Sequence, residues 1–165
     1  MTDRTATELA VALDDALRRR AATLAVAESL TGGLLGAAIT TVPGVSVTFR
    51  GGVVAYATEL KATLLGVDPD LLARVGPVDP DVAAQMATGV RDRLSATYGL
   101  ATTGVAGPDR QAGHPPGEVH VALAGPTGVE RQRLELTGDR AAVRDGAVRA
   151  GLLLACRALA REAEA

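Results

Sequence analysis

The feature that most constrains this chain is a short apolar run that stops in a glycine turn. Thr23 to Glu28 (TLAVAE) reads as a buried strand, and Ser29-Leu30-Thr31-Gly32-Gly33 follows it and opens a helix through about Thr41. The pattern continues. Gly51 to Thr58 (GGVVAYAT) reads as a second strand, followed by a short helix over Glu59 to Leu65. Pro69 to Ala73 is predicted as a helical turn capped by Asp68, and Pro80 to Tyr98 as a longer helix capped by Asp79. Leu100 to Gly104 is a third strand that empties into the loop Val105 to Gly117. Glu118 to Ala124 and Val129 to Leu136 flank a Gly-Pro-Thr-Gly turn and read as a hairpin. A first helix over Thr5 to Arg20, with Leu9, Val11, Leu13 and Leu17 as its buried stripe, and a last helix over Asp139 to Arg161 complete the set. Strand–helix alternation followed by a hairpin predicts a mixed sheet with helices on both faces, and ligands in such sheets sit beyond the carboxyl ends of the strands.

Composition narrows the class. The 165 residues suit one core, so one domain over 1–165 is expected. Hydrophobic residues make up 47% but aromatics only 2%, so that core must be built from Ala, Val and Leu. A net charge of −2 with no basic stripe argues against nucleic acid as a partner. Cys156 is the lone cysteine, which excludes an internal disulfide and a cysteine metal site and fits a reducing cytoplasm. His114 and His120 are too few and too isolated for a His-based metal centre. Met1 to Arg20 is charged and amphipathic without an apolar signal core, and no apolar run is long enough to span a bilayer.

Three segments can carry chemistry. The turn Ser29 to Gly33 offers helix-terminal N–H groups and hydroxyls to a phosphate or an oxyanion, or else simply caps a helix. The loop Thr103-Gly104-Val105-Ala106-Gly107-Pro108-Asp109, continuing through Arg110 to Pro115-Pro116-Gly117, is long for a compact domain, and such loops tend to bind. Ser46 to Lys61 holds the chain's single lysine against 16 arginines. A partly buried lysine can lose its proton and serve as a base for a hydroxyl, which arginine cannot. The chain has three serines, of which Ser95 falls inside a predicted helix and Ser29 and Ser46 fall in site segments. Tyr56 is placed at a strand end, as an active-site phenol or as a half-buried strand residue. Arg140 and Arg144, four apart, share a helix face and either clamp an anion or face solvent.

The runs AESLTGG, GGVVAYATELKATLLGV, TGVAGPD, PPGEVHVALAG and GDRAAVR, in this order, resemble the C-terminal domain of the CinA (competence-damage inducible) proteins over about Leu9 to Leu159. That family is similar to nicotinamide mononucleotide deamidases, which hydrolyse the carboxamide to nicotinate mononucleotide and ammonia in pyridine nucleotide salvage. The resemblance implies a three-layer α/β/α sandwich around a mixed, mainly parallel five-stranded sheet, in the stand-alone form without the molybdopterin-binding-like domain that many CinA proteins carry. It implies Ser29, Ser46, Tyr56, Lys61 and Thr103 as the catalytic set. Thr31, Gly32, Gly33, Gly104, Gly107, Arg140 and Arg144 would hold the substrate. Family members often have Ser-Asn after the tyrosine, where this chain has Ala57-Thr58, and many have threonine where it has Glu118.

The expected reaction needs no metal or cofactor. Ser46 attacks the amide carbon with neutral Lys61 as base and Tyr56 relaying the proton; Ser29 or a positioned water are the competing nucleophiles. N–H groups near Gly32-Gly33 or Gly104 hold the oxyanion. A non-catalytic nucleotide-binding module and a different hydrolase of phosphorylated metabolites are the rival readings. The expected partner is a small-molecule substrate, with neither membrane nor nucleic acid. The apolar C-terminal helix serves either a homodimer or the chain's own core.

Overall fold

The computed structural model describes residues 4–164. Of the amphipathic stretch Met1 to Arg20, the first three residues lie outside the described residues. The helices are α1 (Ala6–Arg19), α2 (Leu34–Thr40), α3 (Thr58–Leu65), α4 (Pro69–Val75), α5 (Pro80–Arg93) and α6 (Arg140–Glu164). The strands are β1 (Leu24–Glu28), β2 (Phe49–Val54), β3 (Tyr98–Gly104), β4 (Glu118–Gly125) and β5 (Gly128–Glu135). They form one sheet in the order β2-β1-β3-β4-β5. β1 runs parallel to both its neighbours, and β4 and β5 are antiparallel additions.

Strand alternation divides the core in two. Leu24, Val26, Leu100, Val119, Val121 and Leu123 pack with the apolar faces of α1, α2 and α6. Ala25, Ala27, Ala101, Ala122 and Ala124 face α5, with Leu65, Val67, Leu71 and Leu72 from α3, α4 and their connection. The α/β/α sandwich is therefore present, and the apolar face of α6 is used inside the chain: Val143, Ala147, Leu152, Ala155 and Leu159 are buried. Among the described residues, no helix is long and apolar enough to cross a membrane.

The expected caps form. Asp68 accepts from Asp70 N and Asp79 from Asp81 N and Val82 N, each beside a proline in the first turn. Thr5 and Glu8 make a reciprocal capping box on α1. Three expectations need correction. Val11 is 43% exposed, because it sits well round the helix from the Leu9–Leu13–Leu17 stripe. The helix predicted over Pro80 to Tyr98 stops at Arg93: Ser95 turns left-handed (φ 51°), Ala96 N returns to Arg91 O, and Tyr98 starts β3. The second strand covers Phe49–Val54, so Tyr56 lies beyond its end.

With so few aromatics, the α5 layer is filled by close approach. A Cβ on Gly99 would stand 2.0 Å from Ala87 O, and one on Gly89 would stand 1.7 Å from Leu65 O. Backbone therefore meets backbone where α5 crosses β3 and α3, and no rotamer change can make room. Gly89→Ala is expected to destabilise the fold by about 3 kcal/mol, lowering Tm by roughly 6–12 °C in a thermal melt. An unchanged melt would show that α5 is free to move away from α3.

Candidate active site

The site begins where β1 ends. Glu28 and Ser29 are adjacent, so alternation sends them to opposite faces of the sheet. The Glu28 carboxylate turns to the α2 side and accepts from Gly33 N (3.2 Å), Leu35 N (2.8 Å) and Gly36 N (3.1 Å). It occupies the positive end of the helix itself. The sequence marks that end as an anion site, but the chain fills it with its own anion. Gly32 N is also committed, to Ser29 O at 3.0 Å.

Ser29 turns the other way, to α3. Its Oγ lies 3.0 Å from Lys61 Nζ, which also reaches Ala55 O at 2.8 Å. Lys61 is 1% exposed, and among the described residues no carboxylate is within ion-pair range of it. Burial depresses its pKa to about 8, against a smaller opposing pull from Glu59. Once neutral, Nζ can donate to Ala55 O and accept from the Ser29 hydroxyl. That is a nucleophile–base pair.

Ser29 opens on a cavity of about 360 Å³ lined by Leu30, Tyr56, Arg140 and residues 104–111. Arg140 spans its mouth, donating through Nη1 to Gly107 O (2.7 Å) and through Nη2 to the Tyr56 hydroxyl (2.9 Å). Gly104 and Gly107 are therefore in the lining. Arg144 is outside it: Nε donates to Leu30 O and Nη2 to Thr31 O, both at 3.0 Å. Its guanidinium fixes the turn after Ser29. A planar trans peptide directs each N–H opposite its carbonyl, so the Thr31 N–H points away from Arg144. Among the described residues, the N–H groups of Leu30 and Thr31 have no acceptor.

The remaining sequence candidates fall elsewhere. Ser46 is exposed in a single 3₁₀ turn (Val45–Val47) leading into β2. β2 starts level with Leu24, at the opposite end of β1 from Ser29. Five residues of strand span roughly 16 Å, so the structure does not bring Ser46 to Lys61. Thr31 bonds Thr102 on the α2 face of the sheet (Oγ1 to Oγ1, 2.8 Å). Gly32 and Gly33 shape the turn with φ of 56° and 103° and are absent from the lining. Thr103 follows Thr102, the register partner of Glu28, but its hydroxyl donates to Pro77 O at 2.7 Å. Ala57 is the N-cap of α3 without a side-chain bond, and Thr58 begins the helix. Sequence reasoning missed Glu28 as the α2 cap and Ala55 O as the second lysine partner. The first was signalled by a lone carboxylate ending a buried strand; a backbone acceptor leaves no such mark.

The geometry meets a match along most of the chain. A family model, CinA C-terminal domain, covers residues 6–159. The chain belongs to the CinA C-terminal domain family. This CinA domain is 58% identical over 144 residues to a CinA-like protein of Frankia casuarinae, matching 87% of the chain and 33% of that protein. It is 48% identical over 132 residues to a CinA-like protein of Myxococcus xanthus, matching 79% of the chain and 31% of the relative. The CinA domain thus spans about a third of the length of these curated relatives. The crystal structure of a CinA superfamily protein from Klebsiella pneumoniae superposes with a TM-score of 0.92 at 33% identity, over 96% of this chain and 99% of that one. One from Escherichia coli gives 0.87 at 32% identity, over 92% and 90%.

The buried lysine makes a stability prediction for the CinA domain. Its pKa is about 8 folded against the ordinary 10.5, so between those values the unfolded chain binds the extra proton and stability rises with pH. Burial raises the pKa of Cys156 and Tyr98, which works in the opposite sense at alkaline pH. The contrast with Lys61→Met isolates the lysine. Urea unfolding should show wild type gaining about 2 kcal/mol relative to Lys61→Met between pH 7.5 and 10. Parallel curves would mean that Lys61 keeps its ordinary pKa.

Proposed function

We propose that this CinA domain is an amidohydrolase that deamidates nicotinamide mononucleotide, with Ser29 as nucleophile and Lys61 as general base. The observation that carries the reading is the 3.0 Å contact between Ser29 Oγ and a buried lysine that has no ion-pair partner among the described residues. Proton removal from a serine hydroxyl near neutral pH needs a base of this kind. The choice of substrate rests on the resemblance of the AESLTGG, AYATELK and TGVAGPD runs to nicotinamide mononucleotide deamidases.

In this reading Ser29 Oγ adds to the carboxamide carbon while its proton passes to Lys61 Nζ. The N–H groups of Leu30 and Thr31, free of other acceptors among the described residues, take the oxyanion. Collapse of the adduct breaks the C–N bond, and the Lys61 ammonium returns the proton to the departing amine, giving ammonia and an acyl-enzyme. Water then adds with Lys61 again as base, releasing the carboxylate product and restoring the serine. The substrate phosphate falls to the cationic wall of the cavity, where Arg110 and Arg140 outnumber Asp109.

Ammonia release from nicotinamide mononucleotide tests the proposal directly. Ser29→Ala and Lys61→Arg are expected to lower kcat/KM by about 10³-fold or more, since arginine keeps its proton. Ser46→Ala, exposed at the opposite end of the sheet, should remain within about twofold of wild type. An inert wild type sinks the deamidase reading, and a fully active Lys61→Arg removes the lysine from the chemistry. Because the base works only when neutral, kcat/KM should climb with pH and level off near the Lys61 value of about 8. A profile flat from acid to alkaline pH would count against a lysine base.

A further inference from the structure

Beyond the cavity, three ionisable side chains that the chemistry does not use meet on the α5 face of the sheet. Glu118 starts β4 and is 7% exposed. One carboxylate oxygen lies 3.0 Å from His114 Nδ1, and the other lies 3.1 Å from His120 Nε2. Arg133, mostly exposed on β5, approaches at 3.7 Å. His120 is 3% exposed, and its Nδ1 is buried with no partner among the described residues. Since a carboxylate only accepts, the His120 Nε2 must carry the hydrogen, and the ring spends its one satisfied bond on Glu118.

The two histidines differ in where they sit. His120 belongs to β4 and is rigid with the sheet. His114 belongs to the loop whose residues 104–111 line the cavity. Residues 108–113 are all exposed, and among the described residues Arg110 bonds only within the loop, to Gly113 O. His114 is the half-buried exception, and Glu118 is the group on the sheet that it reaches. Arg140 ties the near end of the loop at Gly107. The far end closes through backbone, Gly117 N to Val105 O, and Glu118 holds the stretch before it, where Gln111 and His114 pair, through the His114 ring.

We propose that Glu118 is a positioning residue: braced by His120, it holds the cavity loop in its binding conformation through His114. The reading rests on the proposed function for its effect on substrate, though the tether itself does not depend on it. Loosening the tether lets the loop open more often, and a protease reads that population directly. The bond Arg110–Gln111 is exposed in this loop, and trypsin cuts after arginine.

The experiment pairs limited trypsin digestion, with the Arg110–Gln111 cut followed by mass spectrometry, with kinetics on nicotinamide mononucleotide. His114→Ala is expected to be cut there about fivefold or more faster than wild type, and to raise KM by about fivefold with kcat retained. Glu118→Gln, which keeps the size but can accept from only one imidazole in the same geometry, should fall between the two. His114 is near the surface, so His114→Ala keeps the test open if the buried Glu118 variant fails to fold. Wild-type cutting rates in folded His114→Ala, or an unchanged KM in an active enzyme, overturn the proposal. If wild type releases no ammonia, the deamidase reading fails by itself, and the cutting rate still decides whether Glu118 holds the loop.

Discussion

Glu28 ends the interior strand β1 with a buried carboxylate, and the rest of the site is arranged around how that charge is satisfied. Three backbone N–H groups of the α2 entrance close on it. A carboxylate at this end of a helix is favourable for the helix and for itself. It also fixes where α2 starts, hence the path of the turn between them. Ser29, the next residue, has no choice of face. Strand alternation points it away from α2 and toward α3, where Lys61 lies. One residue serves structure on one side of the sheet, and its neighbour serves chemistry on the other.

The lysine is buried because the layer around it is thin. Alanines on β1, β3 and β4 and glycines at 89 and 99 bring α5 down onto the sheet and against α3. Lys61 and Leu65 are the buried side chains of the short helix α3, one turn apart. Water is excluded from the amine while two oxygens remain in reach. The scarcity of aromatic side chains is thus connected to function: bulkier packing would hold α3 farther from the end of β1.

Much of this architecture was legible in the sequence. The strands, the caps at Asp68 and Asp79, the hairpin and the isolation of the one lysine all follow from local rules, because each depends on neighbours close in the chain. The end of α5 is not local in this sense, because Ser95 adopts a left-handed turn for which serine carries no strong signal. The partner of the lysine depends on contacts far apart in the chain. Ser46 stands nearer to Lys61 in sequence and Ser29 farther, and only the parallel register of β1 with β2 shows which end of the sheet each occupies. The helix-entrance N–H groups at Gly32 and Gly33 are already committed, which the sequence hides for a similar reason. A helix entrance looks open in a sequence unless the residue that closes it is recognised, and Glu28 reads there simply as the end of a strand. Arg144 carried the same ambiguity: its spacing from Arg140 suggested one clamp, whereas each arginine serves a different segment.

Arg140 joins three stretches of chain that are far apart in sequence, at Tyr56, Gly107 and the start of α6. Both of its acceptors are neutral. A bond from a guanidinium to a carbonyl or a phenol is weaker than one to a phosphate or carboxylate. An anion arriving in the cavity therefore competes on favourable terms for a cation that was holding the walls together. The positive charge the cavity can offer an anion is therefore the same charge that joins Tyr56 to Gly107.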